Sequence, residues 1–174
     1  VPEGRVVIEM LQPGDLVETL DRGPQPLRWI GQTRVDGSGA FAPIRIEEGV
    51  LGNSRPLLVS PQHRMLLAGW KPQLILGEPE ILVPAKHLVG MDGIAPAPVA
   101  EVEYIHMLFD RHEIVFAEDA PSESFHPGSE MLGLDRALHA EIVSLFPELD
   151  EMPDAARHAA RRVARAHEAR LLAA

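Results

Sequence analysis

Ser60 and His63 stand three apart in the segment Leu57-Leu58-Val59-Ser60-Pro61-Gln62-His63-Arg64-Met65-Leu66, at a proline-marked bend between two apolar runs. Such a bend can aim a hydroxyl and an imidazole at one atom, the arrangement that proton transfer to a departing amine requires. The same four residues also suit a structural Ser-Pro turn followed by a hydrogen-bonded histidine, and the pair alone does not separate the two readings. A second segment, Tyr104-Ile105-His106-Met107-Leu108-Phe109-Asp110-Arg111-His112-Glu113-Ile114-Val115-Phe116, holds two further histidines and a carboxylate at even positions. On a continuous strand His106, Asp110 and His112 share a face. They then suit zinc or iron, or a positioned proton donor. If Asp110-Arg111 is a turn, the face is broken and no metal site follows. The expectation is no metal and no cofactor. Cysteine is absent, so these residues contain no disulfide, no thiolate ligand and no thiol nucleophile.

The elements that must position these groups are short. Up to about residue 127 the chain is rich in Val, Ile, Leu, Pro and Gly, with brief apolar runs between turn signals, the signature of many short strands. Strands are expected at 5–11, 15–20, 26–35, 43–48, 56–60, 63–68, 73–76, 80–84, 99–109 and 112–118. Gln12-Pro13-Gly14-Asp15 and Asp21-Arg22-Gly23-Pro24 read as tight turns, with Pro presetting φ and Gly permitting positive φ. The inner core is expected to include Val7, Ile8, Leu16, Val17, Leu27, Trp29, Ile44, Leu58, Met65, Leu67, Val102, Val115 and Phe116. Beyond residue 128, Leu134, Leu138, Ile142, Leu145 and Phe146 recur at helical spacing, which predicts a helix over 134–146. A second, Ala- and Arg-rich helix is expected over about 154–172, docking weakly through Val163, Leu171 and Leu172. The chain thus divides into a β body at 1–127 and a helical extension at 128–174.

Charge and hydropathy narrow the function classes. The net charge is −10, from 26 acids and 16 bases, which argues against a general phosphate-backbone binder. The tail is the exception: residues 154–174 carry five Arg against Asp154 and Glu168. That strip reads as a solvated helix face or as a docking strip for an acidic partner. No run of eighteen apolar residues suggests a membrane span. Val1 is not an initiator methionine, and the chain is expected to be a fragment of a longer one.

Five stretches together resemble the Hint (hedgehog/intein) family, in particular a bacterial branch of it. They are Pro2-Glu3-Gly4 through Val7-Ile8-Glu9-Met10-Leu11-Gln12-Pro13-Gly14-Asp15-Leu16-Val17; Asp21-Arg22-Gly23-Pro24-Gln25-Pro26-Leu27-Arg28-Trp29-Ile30-Gly31; Leu58-Val59-Ser60-Pro61-Gln62-His63-Arg64; Val83-Pro84-Ala85-Lys86-His87-Leu88; and Phe109-Asp110-Arg111-His112-Glu113. They run in the family's order over about residues 2–127. The resemblance implies a mainly β, Hint-type irregular body with one or two C-terminal helices. It also implies autoprocessing: a Cys or Ser at the domain's first position attacks the preceding carbonyl, and a Thr-x-x-His element polarises and protonates the scissile amide. Ser60-Pro61-Gln62-His63 matches that element, with Ser in place of Thr. His63 is then the acid that helps the amine leave, Ser60 orients it, and His112 is the assisting group near the domain's end.

The departures shape the expectation as much. In the family's layout the nucleophile lies in a block like Cys-Phe-x-x-Gly-Thr before Pro2, and the sequence starts after it. The terminal His-Asn pair used for cyclisation has no match in Ala120-Pro121-Ser122-Glu123-Ser124-Phe125. The resemblance therefore implies acyl shift with hydrolysis or transfer in the intact parent, and no self-cleavage by residues 1–174 alone. The alternatives are a degenerate Hint fold serving as a structural or interaction module of a larger, secreted bacterial protein, and an unrelated β-rich metal hydrolase using His63, His87, His106 or His112. Flanking domains of the parent are the expected partners; nucleic acid and membrane are not.

Overall fold

The computed structural model describes residues 1–126 and 159–173. Short strands follow the apolar runs: β1 Leu16–Thr19, β2 Gly23–Pro26, β3 Trp29–Val35, β4 Ile44–Ile46, β5 Leu57–Val59, β6 Arg64–Ala68, β7 Glu80–Pro84, β8 Ile94–Pro96, β9 Val102–Leu108, β10 Ile114–Ala117 and β11 Ala120–Glu123. Two helices accompany them, α1 Trp70–Leu76 and α2 Ala166–Ala173. The strands form a six-stranded sheet in the order β2-β1-β10-β11-β6-β7, a β3-β9 ribbon and a three-stranded sheet β5-β4-β8. The architecture is mainly β, as the brief apolar runs and turn signals imply.

The turns form for the reasons the residues give. Gly14 sits at φ +100°, and the turn closes through Gln12 N–H to Asp15 Oδ2 at 2.8 Å and Asp15 N–H to the Gln12 carbonyl at 3.1 Å. The β1–β2 hairpin turns through Asp21 and Arg22 into Gly23 at φ +64°, braced by Thr19 Oγ1 donating to the Gly23 carbonyl at 2.7 Å.

Several elements differ from the sequence reading. Residues 5–11 contain a short 3-10 turn at Ile8–Met10 and no strand. The run at 73–76 belongs to α1, whose Pro72 sits in the first helical turn, where a missing N–H costs nothing. The span 26–35 is two strands that break at Leu27-Arg28, and β8 and β11 were not anticipated. The expected helix at 134–146 lies outside the described residues, as does the start of the one at 154–172.

Burial separates the two faces of each strand. Val17, Leu27, Ile44, Met65 and Val115 are buried as expected, but Val7, Leu16, Leu58 and Phe116 are exposed. Leu16 and Phe116 alternate with the inward-facing Val17 and Val115, so a one-residue step places them outside. The largest core cluster joins Ile44, Ile46, Met65, Ile81, Val83, Leu88 and Ile94 to Ala164, Ala169 and Leu172 of the C-terminal segment. That segment docks firmly, contrary to the weak docking its composition suggested. Its alanines are small enough to approach the sheet closely, and residues 161–164 add a parallel bridge to the edge strand β7, with Leu82 N–H to the Arg162 carbonyl at 2.9 Å and Ala164 N–H to the Leu82 carbonyl at 2.8 Å.

One glycine is fixed by packing. Gly31 pairs with His106 across the β3–β9 ribbon, and the Trp29 indole folds over it. A Cβ at position 31 would stand 1.9 Å from Trp29 Cη2 and 2.0 Å from Cζ2. Gly31→Ala must displace that ring, which leans on Phe125 at a centroid distance of 6.3 Å. The substitution is expected to cost about 1–3 kcal/mol, the usual range for overpacking. Thermal unfolding measures it, together with a change in tryptophan emission.

Candidate functional site

The polar residues of interest gather where three strands of the six-stranded sheet end together. Antiparallel pairing sets Met65 against Ser122 and Ile114 against Glu123. The start of β6, the start of β10 and the end of β11 therefore meet. His63 and Arg64 come from the first, His112 and Glu113 from the second, and Glu123, Ser124 and His126 from the third.

Glu123 ties the cluster together. The β6–β11 ladder has its registered pair at Met65 and Ser122, so the Arg64 N–H needs another acceptor. Glu123 supplies it: Oε1 accepts from Arg64 N–H at 2.9 Å and Oε2 from the Arg64 guanidinium at 2.8 Å. Both side chains are buried. Burial pushes the Glu123 carboxyl above the ordinary carboxylate range, and Arg64 pulls it back. Glu113, also buried, pairs with Arg22 from the β1–β2 hairpin. Its main chain exchanges hydrogen bonds with Ser124, through Glu113 N–H to Ser124 Oγ at 2.9 Å and Ser124 N–H to the Glu113 carbonyl at 2.8 Å.

His112 is enclosed, with its side chain 0 % exposed. Its ring lies on that of His126 at a centroid distance of 4.5 Å. Nδ1 accepts a hydrogen bond from Ala160 N–H at 2.9 Å, which makes Nε2 the protonated nitrogen of the neutral ring. Nε2 stands 3.4 Å from Glu123 Oε2 without making a well-aligned hydrogen bond. Burial lowers the His112 pKa to about 4, the Arg64 charge adds to this, and the Ser124 main chain and Glu113 oppose it.

His63 is half-buried at the end of the Ser60 turn. Ser60 reaches its main chain: His63 N–H donates to Ser60 Oγ and to the Ser60 carbonyl, each at 3.1 Å. The hydroxyl therefore shapes the bend that presents His63. Burial lowers the His63 pKa to about 4, and the neighbouring His106, Arg64 and His112 each add to the shift. The two histidines 49 residues apart in sequence are thus close enough to feel each other's charge.

His106 joins this neighbourhood from β9, edge-on to Phe125 at 5.2 Å. Asp110 does not. Residues 109–113 leave the strand, and Asp110 forms an exposed, two-pronged pair with Arg28, both contacts at 2.7 Å. The continuous face that would have aligned His106, Asp110 and His112 is therefore broken. Among the described residues no group of three His, Asp or Glu side chains is arranged to hold a metal ion. His87 lies apart, beside Lys86 and within reach of the Arg170 charge on α2.

The entering chain is held elsewhere. Arg5 pairs with Glu118 and Asp119 at the β10–β11 turn, the end of that hairpin opposite His112. Glu123, Arg64, His126 and Ala160 were missed by sequence reasoning. His126 is followed by Pro127 and carried no pairing signal, and an isolated acid in Ser122-Glu123-Ser124 gains meaning only from register.

Antiparallel sheets of short strands, with a histidine and carboxylate cluster where their ends meet, define a β protein built to bury polar groups around one bend. A family model described as the Hint domain matches residues 1–129, and the chain belongs to the Hint-domain family. No curated protein and no solved structure matches it.

The cluster predicts an acid response. His63 and His112 hold pKa values of about 4 when folded, against about 6.5 in an unfolded chain. The unfolded state therefore binds protons first. The stability they contribute is full above pH 6.5 and is lost as pH falls from there towards 4. Imidazole NMR should show both rings neutral at pH 5.5, with midpoints near 4, and the melting temperature should fall over that same window. Midpoints near 6.5 for both rings contradict this reading of the site.

Proposed function

We propose that this chain is the body of an autoprocessing module that performs an N-to-S or N-to-O acyl shift, with its nucleophile supplied by a segment preceding Val1. His63 is the proton carrier, Ser60 fixes the bend that presents it, and His112 acts from behind through Glu123 and Arg64. The single observation that carries this reading is the setting of His63: half-buried, at the start of β6, beside His106 and His112.

The chemistry follows from that setting. With a pKa of about 4 the His63 ring is neutral at pH 7. It can take the proton of the attacking thiol or hydroxyl. The nucleophile's sulfur or oxygen bonds to the carbonyl carbon of the preceding residue. The carbon–nitrogen bond then breaks, and the imidazolium, a strong acid in this environment, returns the proton to the leaving nitrogen. Water or an external nucleophile next attacks the resulting ester or thioester and releases the acyl fragment.

The second reading is a Hint fold kept as a structural or interaction module. The observation that favours it is the enclosure of His112, whose Nδ1 is already occupied by Ala160.

Cleavage in a protein carrying its natural upstream sequence separates the two. His63→Ala is expected to slow release of the upstream fragment by about 10²–10⁴-fold, the usual worth of a positioned general acid or base. Unchanged cleavage removes His63 from the mechanism, and no cleavage in the parent under any nucleophile favours the structural module.

A further inference from the structure

The C-terminal segment does more than complete the core. It enters the polar cluster from outside the six-stranded sheet and places a main-chain donor on His112. We propose that residues 160 and 161 are positioning residues for this site: the Ala160 N–H, anchored by Arg161, fixes His112 in the Nε2–H form that faces Glu123. The tautomer lock stands on the geometry alone, whereas its bearing on processing rests on the function proposed above.

The anchor is specific. Arg161 donates through Nη1 and Nη2 to the two oxygens of Asp21, at 3.0 and 2.6 Å, and through Nε to Glu80. Asp21 lies on the β1–β2 hairpin at one edge of the sheet, and Glu80 begins the strand at the other edge. One guanidinium therefore ties both edges together. The same Nη1 also donates to the Ala160 carbonyl at 2.8 Å, so the peptide flanking the His112 donor is held directly. Ala160 and Val163 pack on Leu66, Leu82 and Ile114 just below. A planar fork with several fixed donors can make these contacts at once, and a lysine ammonium cannot reproduce them all.

The consequence is chemical. A neutral imidazole whose Nδ1 accepts a hydrogen bond must carry its proton on Nε2. It cannot gain a second proton at Nδ1 without breaking the Ala160 bond. The other charged and titratable groups around the ring are Arg64 and His63 from β6 and its approach, Glu113 beside it, and Glu123 and His126 from the end of β11. Without the Ala160 bond only Glu123, 3.4 Å from Nε2 and without a well-aligned hydrogen bond, is left to favour the Nε2–H form, and the ring can exchange tautomers.

The test reads the ring itself, in the full 174-residue chain. Long-range proton–nitrogen NMR of His112 should show a single Nε2–H tautomer, with a scalar coupling across the hydrogen bond between Ala160 nitrogen and Nδ1. Ala160→Pro deletes the donor and should give mixed tautomers with no coupling to Nδ1. Arg161→Gln keeps the N–H and should weaken the coupling, while Arg161→Lys should restore it only in part. Should Ala160→Pro fail to fold, the coupling in the unaltered protein and its loss in Arg161→Gln still decide. An Nδ1–H tautomer in the unaltered protein, or a coupling untouched by Arg161→Gln, overturns the proposal. In a cleaving parent, a fixed tautomer together with an unaltered rate and pH profile in Arg161→Gln retires the role in processing and leaves the tautomer lock standing.

Discussion

The carboxylate of Glu123 is the contact around which the polar end of this fold is arranged. It accepts from the Arg64 main chain where the β6–β11 ladder runs out, and from the Arg64 guanidinium a few ångströms away. A buried carboxylate without those donors would be strongly unfavourable, and a buried guanidinium without the carboxylate equally so; removing one partner of such a pair costs about 3–5 kcal/mol. The pair also fixes where β6 begins, and therefore where the Ser60 bend holds His63. Arg64 serves fold and site together, because its charge is one of the reasons that His63 and His112 stay neutral.

Neutral histidines are the chemical character of this cluster. Four rings, His63, His106, His112 and His126, lie around the meeting of the strand ends with two buried carboxylates already claimed by Arg22 and Arg64. Among the described residues, both buried carboxylates there have an arginine partner, so neither is a full counter-charge for an imidazolium. Such a ring can pass a proton on quickly because it holds one poorly. The C-terminal segment adds order to this arrangement by closing both sheet edges through Arg161 and filling the core with Ala164, Ala169 and Leu172.

The local features were legible in the sequence and the long-range ones were not. Pro13-Gly14-Asp15 and Asp21-Arg22-Gly23 announced their turns because Pro and Gly act on the residues beside them. The apolar run expected as a strand at 99–109 likewise contains β9. Trp70–Leu76 misled because a short apolar run has the same composition in a helix as in a buried strand. Strand β11 escaped notice because Ala-Pro-Ser-Glu has no branched or aromatic residue, although it is central in the sheet. The Ser60-x-x-His63 bend and His112 were visible as residue types. Glu123, His126 and Ala160 were not, since each acquires its role from a register or a crossing set by distant segments.

The central claim is that a Hint-type acyl shift passes through the His63 bend, and the intermediate it requires is an ester or thioester. Treating the parent protein, with its natural sequence before Val1, with hydroxylamine, at neutral pH for a thioester and at alkaline pH for an oxygen ester, tests this most directly. Mass spectrometry should find an upstream fragment ending in a hydroxamate at the residue before the nucleophile. An upstream fragment that ends in a free carboxylate at some other bond, or no fragment at all, would contradict the account.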